Sequence, residues 1–225
     1  MTVLFADVVG FTPLSEARDP EHIKNLLDRC FERLANDVTA YGGRVDKIVG
    51  DEIMAIFGAP VAHEDDPERA VRAALQMQRN LAEHADETGA DVRMRIGVNT
   101  GEVLVGSLRA GGDVTALGDV VNIAKRLQTA AEPGQILVGA TTHEATKDCI
   151  AYEEVGALTL KGREASVTAW DALEALGPPG TRAGRARTPL VGRKSEIALL
   201  WHALGTAVSH GRPHLVLLVG DAGMV

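Results

Sequence analysis

Cysteine is almost missing from this chain: 225 residues contain only Cys30 and Cys149. Two isolated thiols with no His/Cys spacing imply neither a disulfide framework nor a zinc site, and Cys30, inside a helical pattern, reads as a buried small hydrophobe. No apolar run approaches the ~18 residues of a membrane span, and no signal-peptide pattern is present. Both absences predict a cytoplasmic protein with no membrane contact. An excess of basic residues is also lacking. Lys and Arg number 23 against 31 Asp and Glu, a net charge of −8, which argues against non-specific nucleic-acid binding. A phosphate ligand stays open, because metal ions and a local basic cluster would serve it. Internal repeats and low-complexity tracts are absent too.

What is present is ordinary for a globular protein: 45% hydrophobic and 24% charged residues, in a length that suits one domain plus a fragment of another. The organising stretch runs from Gly43 to Gly58. It predicts a β-hairpin around the turn Gly50-Asp51, whose second arm, Ile53 to Phe57, is apolar enough for a central strand. Strand alternation puts Lys47, Val49 and Asp51 on one side of that ribbon, unless the turn rotates Asp51 away.

Before the hairpin, Val3 to Val9 reads as a strand with Asp7 embedded in it, a costly place for an unpaired carboxylate. Gly10-Phe11-Thr12 is a turn whose backbone N–H groups would face a phosphate. Asp19-Pro20-Glu21 opens a helix with an apolar stripe that includes Phe31, Leu34 and Val38 and ends at Gly42-Gly43. After it, His63-Glu64-Asp65-Asp66 reads as a solvated helix N-terminus rather than a metal site, and a helix follows from about Pro67 to His84. Val92 to Asn99 alternates as a strand, with Met94, Ile96 and Val98 on one face and Arg93 and Arg95 on the other. Gly101 to Ser107 is a further strand. Thr115 to Asp119 leads into a helix over about Val120 to Ala130, on which Asn122 and Arg126 project side by side. A short strand (Gln135–Val138), a short helix (Thr141–Lys147) and closing strands at Tyr152–Val155, Leu158–Leu160 and Val167–Asp171 complete the first domain, with a Lys161-Gly162 turn between the last two. The order predicts an α+β fold, a ferredoxin-like βαββαβ sheet with helices on one face plus extra C-terminal strands.

Residues 1–175 thus form one expected domain, 176–188 a Gly/Pro/Arg-rich linker, and 189–225 the N-terminal fragment of another. The fragment is expected to hold a helix (Ile197, Leu200, Trp201, Leu204) and an apolar strand from Leu215. Its Gly220-Asp221-Ala222-Gly223-Met224 begins a P-loop pattern but lacks the Lys and Ser/Thr, so no NTP hydrolysis is expected of it.

Two constellations carry chemistry. Asp7 and Asp51 lie where neighbouring strands would bring two carboxylates together, an arrangement that a hard cation relieves; oxygen-only ligation suits Mg²⁺ or Mn²⁺. Lys47, Arg95, Asn122, Arg126 and Lys161 form a polar and basic set, each of which alone also reads as an ordinary surface residue.

Taken together and in order, the segments Leu4–Thr12, Lys47–Asp51, Arg95–Gly101, Gly118–Leu127 and Lys161-Gly162 resemble the motifs of the class III nucleotidyl cyclases, and the match runs from Thr2 to about Leu173. The resemblance implies an adenylate cyclase, a phosphorus–oxygen lyase converting ATP to cyclic AMP and pyrophosphate with two Mg²⁺ or Mn²⁺ ions per site. It assigns metal binding to Asp7, Val8 and Asp51. Arg126 would stabilise the transition state and Asn122 would orient the ribose. Arg95, Lys161 and the Gly10-Phe11-Thr12 backbone would bind phosphates. Lys47 and Thr115 would read the base. A lysine donor serves the adenine N1 acceptor, so Lys47 favours ATP. Thr at position 115 resembles the subclass that includes bicarbonate-responsive enzymes, which makes bicarbonate a candidate modulator. The family's sites lie between two catalytic domains, so a single domain implies a homodimer. The C-terminal fragment resembles the start of a STAND- or AAA-like NTPase domain. Two other readings compete: a non-catalytic nucleotide-binding or dimerising regulator of an attached NTPase, and, from Val49–Ile53, a superficial likeness to the hairpin of diguanylate cyclases, which the Asn122/Arg126 helix and Lys47 oppose.

Overall fold

The computed structural model describes residues 1–9, 20–88, 93–107, 114–158, 166–180, 192–213 and 215–217, with side chains at 20–27, 84–88, 105–107 and 114–117 excepted. It divides into two compact units, Met1–Gly184 and Arg185–Val225.

The first unit is built on a seven-stranded sheet in the order β2-β3-β1-β4-β7-β9-β8. Its strands are β1 (Thr2–Val9), β2 (Arg44–Val49), β3 (Glu52–Phe57), β4 (Arg93–Thr100), β7 (Ile136–Gly139), β8 (Ile150–Leu158) and β9 (Val167–Ala175). A separate ribbon pairs β5 (Leu104–Ser107) with β6 (Val114–Leu117). The helices are α1 (Pro20–Ala40), α2 (Asp66–Thr88), α3 (Asp119–Ala130) and α4 (Ala140–Thr146). Strands β2-β3-β1-β4 are all antiparallel neighbours, and β4 pairs β7 in parallel. This is the ferredoxin-like core expected from the sequence, extended by β7, β9 and β8.

Side-chain alternation divides the sheet into two faces. Leu4, Ala6, Val8, Ile53, Ala55, Phe57, Met94, Ile96 and Val98 point into the main core, where they meet Phe31, Leu34 and Val38 of α1 and Ala70, Ala73, Ala74 and Met77 of α2. Every one of them is at least nine-tenths buried, so hydrophobic burial holds this side. The other face carries Val3, Phe5, Met54 and Ile56, which pack with Ala124 of α3, while Leu127 and Ala131 cover Leu137 and Ala169. Helices α1 and α2 lie on one face and α3 on the other. Gly97 permits that second contact: a Cβ there would come within 2.2 Å of the Ala124 carbonyl and 2.3 Å of the Gln128 nitrogen, so the backbones of β4 and α3 touch.

Several local expectations change. Residues 114–117 form a strand, because Val114 to Leu117 pair with Leu104 to Ser107. The strand expected at Tyr152–Val155 does not stop there but runs on to Leu158 as β8, absorbing Gly156 as an irregularity in its pairing with β9; residues 159 and 160 of the second expected strand lie outside the described residues. The Asp65-Asp66 helix start is not fully solvated: Asp66 is 4% exposed and accepts the His63 backbone N–H at 2.8 Å. Leu176 to Gly180 continue from β9 onto α2. There Arg72, ion-paired with Glu68 at 2.7 Å, donates to the Pro178 carbonyl at 3.3 Å, and Glu68 accepts the Gly180 N–H at 3.2 Å.

The second unit contains α5 (Lys194–His210), which ends at Gly211 in the left-handed conformation. No residue of α5 is buried. Residues 215–217 do not form the strand expected from their apolar run, and no strand among the described residues pairs with them.

Candidate active site

The β2–β3 hairpin closes through a two-residue turn, with Val49 paired to Glu52 and Gly50 at φ 63°. A positive φ at the first turn residue is what a tight hairpin demands and glycine provides. One extra residue bulges β2 between Val45 and Lys47, which raises local twist. Beyond the bulge Lys47 pairs with Met54 and Val49 with Glu52. Antiparallel partners share a face, so Lys47 and Val49 lie on the α3 side, as alternation predicted.

The turn is stitched to β1. The Val8 N–H donates to the Asp51 carbonyl at 3.1 Å. Asp7 is in register with Glu52 on one side and with Arg95 of β4 on the other. The acids at positions 7 and 51 thus sit at the same end of adjacent strands, with Arg95 beside them. The Arg95 guanidinium pairs with the Asp7 carboxylate through Nη2. Its Nε is buried and has no hydrogen-bond partner among the described residues. An unpartnered buried N–H is costly, and an incoming phosphate oxygen would satisfy it.

The donor set fits a hard divalent cation. It offers carboxylates at Asp7 and Asp51 and the Val8 backbone carbonyl, with no sulfur or imidazole donor assigned. Among the described residues no group of three or more His, Cys, Asp or Glu could hold a metal. A site with so few protein carboxylates leaves positions for nucleotide phosphates and water, the usual situation for Mg²⁺.

Helix α3 carries the rest of the described set. Asn122 is exposed and Arg126 half-buried, and neither side chain has a hydrogen bond or ion pair with another described residue. Thr115 pairs with Gly106 in the β5–β6 ribbon; its side chain lies outside the described residues. So do Gly10, Phe11, Thr12 and Lys161. The structure therefore brings Asp7, Val8, Asp51 and Arg95 together and places Lys47 on the same face.

Sequence reasoning missed Glu52 and Lys125. Glu52 opens β3 and pairs with Lys125 of α3. The signal was a lone acid at the head of an apolar strand, but its partner lies 73 positions away. Asn99 was also missed as a support: its Nδ2 donates to the Val120 carbonyl at 3.3 Å and steadies the first turn of α3.

Residues 1–171 match the adenylate and guanylate cyclase catalytic domain family. An adenylate cyclase of Rhizobium meliloti is 32% identical over 185 residues, covering 79% of this chain and 27% of that protein. One of Mycobacterium tuberculosis is 34% identical over 165 residues, covering 72% of this chain and 37% of that protein. The chain thus spans about a third of the length of these relatives. Among solved structures, the adenylyl cyclase CyaB of P. aeruginosa superposes with a TM-score of 0.74 at 31% identity, covering 77% of this chain and 93% of that one. The guanylyl cyclase Cya2 does so with a TM-score of 0.72 at 33% identity, covering 81% and 95%. With its ferredoxin-like core, its paired acids at the β1–hairpin junction and this match across nearly the whole first unit, the chain belongs to the class III adenylate and guanylate cyclase family.

Proposed function

We propose that two copies of this chain convert ATP to 3′,5′-cyclic AMP and pyrophosphate at sites they share. The observation that carries the reading is the Val8–Asp51 stitch, which sets two acids beside Arg95 and its unpartnered buried Nε. Divalent ions, Mg²⁺ or Mn²⁺ and two per site, would be held by Asp7, Asp51 and the Val8 carbonyl; bound there they would favour ionisation of the ribose 3′-hydroxyl and neutralise the triphosphate. The 3′-hydroxyl proton passes to water, the 3′-oxygen forms a bond to the α-phosphorus, the bond from that phosphorus to the bridging oxygen breaks, and pyrophosphate leaves with that oxygen.

The chain's own residues bind and orient. Arg95 holds triphosphate oxygens, as does Lys161, with the backbone of Gly10, Phe11 and Thr12 beneath. Arg126 supplies fixed positive charge where it builds on the phosphoryl oxygens, and Asn122 aligns the ribose so that the 3′-oxygen approaches in line. Lys47 donates to adenine N1 and the Thr115 hydroxyl accepts from the adenine amino group. Guanine presents N1–H and amino donors at that edge and would want an acceptor where Lys47 offers a donor. The relatives named adenylate cyclase agree with this choice, while the likeness to Cya2 makes it a matter for measurement.

In the shared arrangement Asp7, Asp51 and Arg95 come from one protomer and Lys47, Thr115, Asn122, Arg126 and Lys161 from its partner. We read bicarbonate as a candidate modulator through the Thr115 subclass, and residues 189–225 as the opening of a P-loop NTPase domain. No helix among the described residues is long and apolar enough to cross a membrane.

The test is product analysis with the purified chain, Mn²⁺ or Mg²⁺, and ATP or GTP in separate reactions. Cyclic AMP formed in preference to cyclic GMP supports the reading. Nucleotide binding without turnover, from a demonstrated dimer, would sink it in favour of a regulatory module.

A further inference from the structure

Helix α3 is seated on the sheet by apolar packing and tied to the hairpin by charge. At Gly97 the β4 backbone touches α3 at Ala124 and Gln128, and Ala124 and Leu127 pack on the sheet beside it. These contacts set how close the helix lies to β4; none of them reaches the β2–β3 turn. Toward that turn the Lys125 ammonium lies 5.8 Å from the centre of the Phe5 ring, donates to Gln128 Oε1 at 2.8 Å, and pairs with Glu52. Gln128 is itself 1% exposed, so the lysine is anchored on both elements.

The ends of this ion pair are informative. Glu52 follows Asp51 and stands directly across from Asp7. Lys125 precedes Arg126 and lies one helical turn from Asn122. One pair therefore joins the element that holds the acids to the element that carries Asn122 and Arg126, within a single chain. Its contribution to folding is small: the Lys125 side chain is 44% exposed and that of Glu52 20%, a setting in which ion pairs stabilise little.

We propose that the Glu52–Lys125 pair is a positioning brace that fixes the rotation of α3 against the β2–β3 hairpin and thereby couples the two sites of a dimer. The coupling rests on the shared-site reading above, in which the ends of the brace serve different sites. Neither residue touches nucleotide; both act through Asp51 and Arg126.

The experiment has a single-chain part and a mixed-dimer part. Lys125→Met and Glu52→Gln should each lower kcat about tenfold with KM for ATP within about twofold, and the double variant should lose about tenfold in all rather than about a hundredfold, because both substitutions break one interaction. Lys125→Arg should recover most of the loss. Thermal midpoints should stay within about 2 °C of the parent; a fall beyond about 5 °C would reassign the pair to folding. In the mixed dimer, an Asp51→Ala chain and an Arg126→Ala chain together leave one intact site. Lys125→Met added to either chain should lower that site's activity, since one chain supplies its helix and the other its hairpin. A loss confined to the Asp51→Ala chain means Lys125 serves the bound nucleotide directly and overturns the brace. Additive single losses, or none, also overturn it. The unmodified mixture scores the shared-site reading separately: if it is inactive although the chains exchange, that reading and the coupling between sites fall, while the single-chain cycle still decides whether the pair positions α3.

Discussion

The two faces of the central sheet are made from the same strands and do opposite work. Along β1, Leu4, Ala6 and Val8 go into a dry core under α1 and α2, while Val3, Phe5 and Asp7 go to the α3 side. Along β4, Met94, Ile96 and Val98 are fully buried, while Arg95 between them keeps about a third of its side chain exposed. On the first face the strands contribute apolar groups satisfied by contact, apart from Thr2 and Thr100 at one end, whose hydroxyls hydrogen-bond each other at 3.0 Å. On the second, Asp7, Glu52, Arg95 and Lys125 are held in ion pairs, and the buried Arg95 Nε has no partner among the described residues. Fold and function are thus interleaved residue by residue, and neighbouring substitutions should separate them.

The largest expected effect is on the charged face. Asp7→Ala should lower cyclase activity by at least about 10³-fold, roughly 4 kcal/mol of transition-state stabilisation, with the thermal midpoint nearly unchanged. A parallel collapse of stability would show that Asp7 belongs to the fold instead. On the dry face, Ile96→Ala or Leu4→Ala should cost about 2–5 kcal/mol in denaturant unfolding, with kcat per folded molecule preserved. A buried ion pair on the dry side tests whether charge alone makes a site. Glu68 and Arg72 are each 7% exposed and hold Pro178 and Gly180 rather than a ligand. Arg72→Met should therefore cost stability, about 3 kcal/mol for an orphaned buried carboxylate, and leave activity alone; a selective loss of activity would blur the distinction between the faces.

Smaller effects sharpen the comparison. Lys47→Glu should reduce kcat/KM for ATP by about tenfold or more, on the scale of a lost base contact of roughly 1.4 kcal/mol, and unchanged kinetics would remove Lys47 from base reading. The smallest effect concerns pH. His143 stacks on Trp170 with ring centres 4.2 Å apart and meets Tyr152 edge-on. Burial pushes its pKa below the usual imidazole value of 6.5, with Glu144 and Glu154 opposing and Lys147 assisting. The folded state then binds fewer protons than the unfolded one just below pH 6.5, so this contribution is present above about that pH and is lost as pH falls. Thermal midpoints measured between about pH 7.5 and 5.5 should fall more steeply for the parent than for His143→Gln; equal slopes would show that His143 titrates alike in both states.

The interleaving also explains what the sequence disclosed. Asp7 and Arg95 were legible because each interrupts an apolar alternation, and the hairpin because Gly50-Asp51 separates two strand-like arms. Local signals suffice for such features. β6 was not legible, since Val114 to Leu117 is short and its identity as a strand depends on pairing with β5. β8 read as two strands because Gly156 mimics a boundary, whereas the sheet accommodates it at φ 94°. Glu52–Lys125 and Asn99–Val120 are tertiary facts: the lone acid heading β3 is a local sign, but nothing near it in the sequence names its partner. The packing of α3 on the face opposite α1 and α2 belongs to the same class, because it follows from the Gly97 contact and not from any pattern within the helix.

In the proposed arrangement the charged face is half of a site completed by a second copy. The measurement that bears on this first mixes Asp51→Ala and Arg126→Ala chains, each inactive alone, under conditions where protomers exchange, and follows cyclic AMP formed from ATP. The account predicts that activity returns on mixing, because one of the two sites in each mixed dimer then holds every intact group. Activity that stays absent, although exchange is demonstrated, would contradict it.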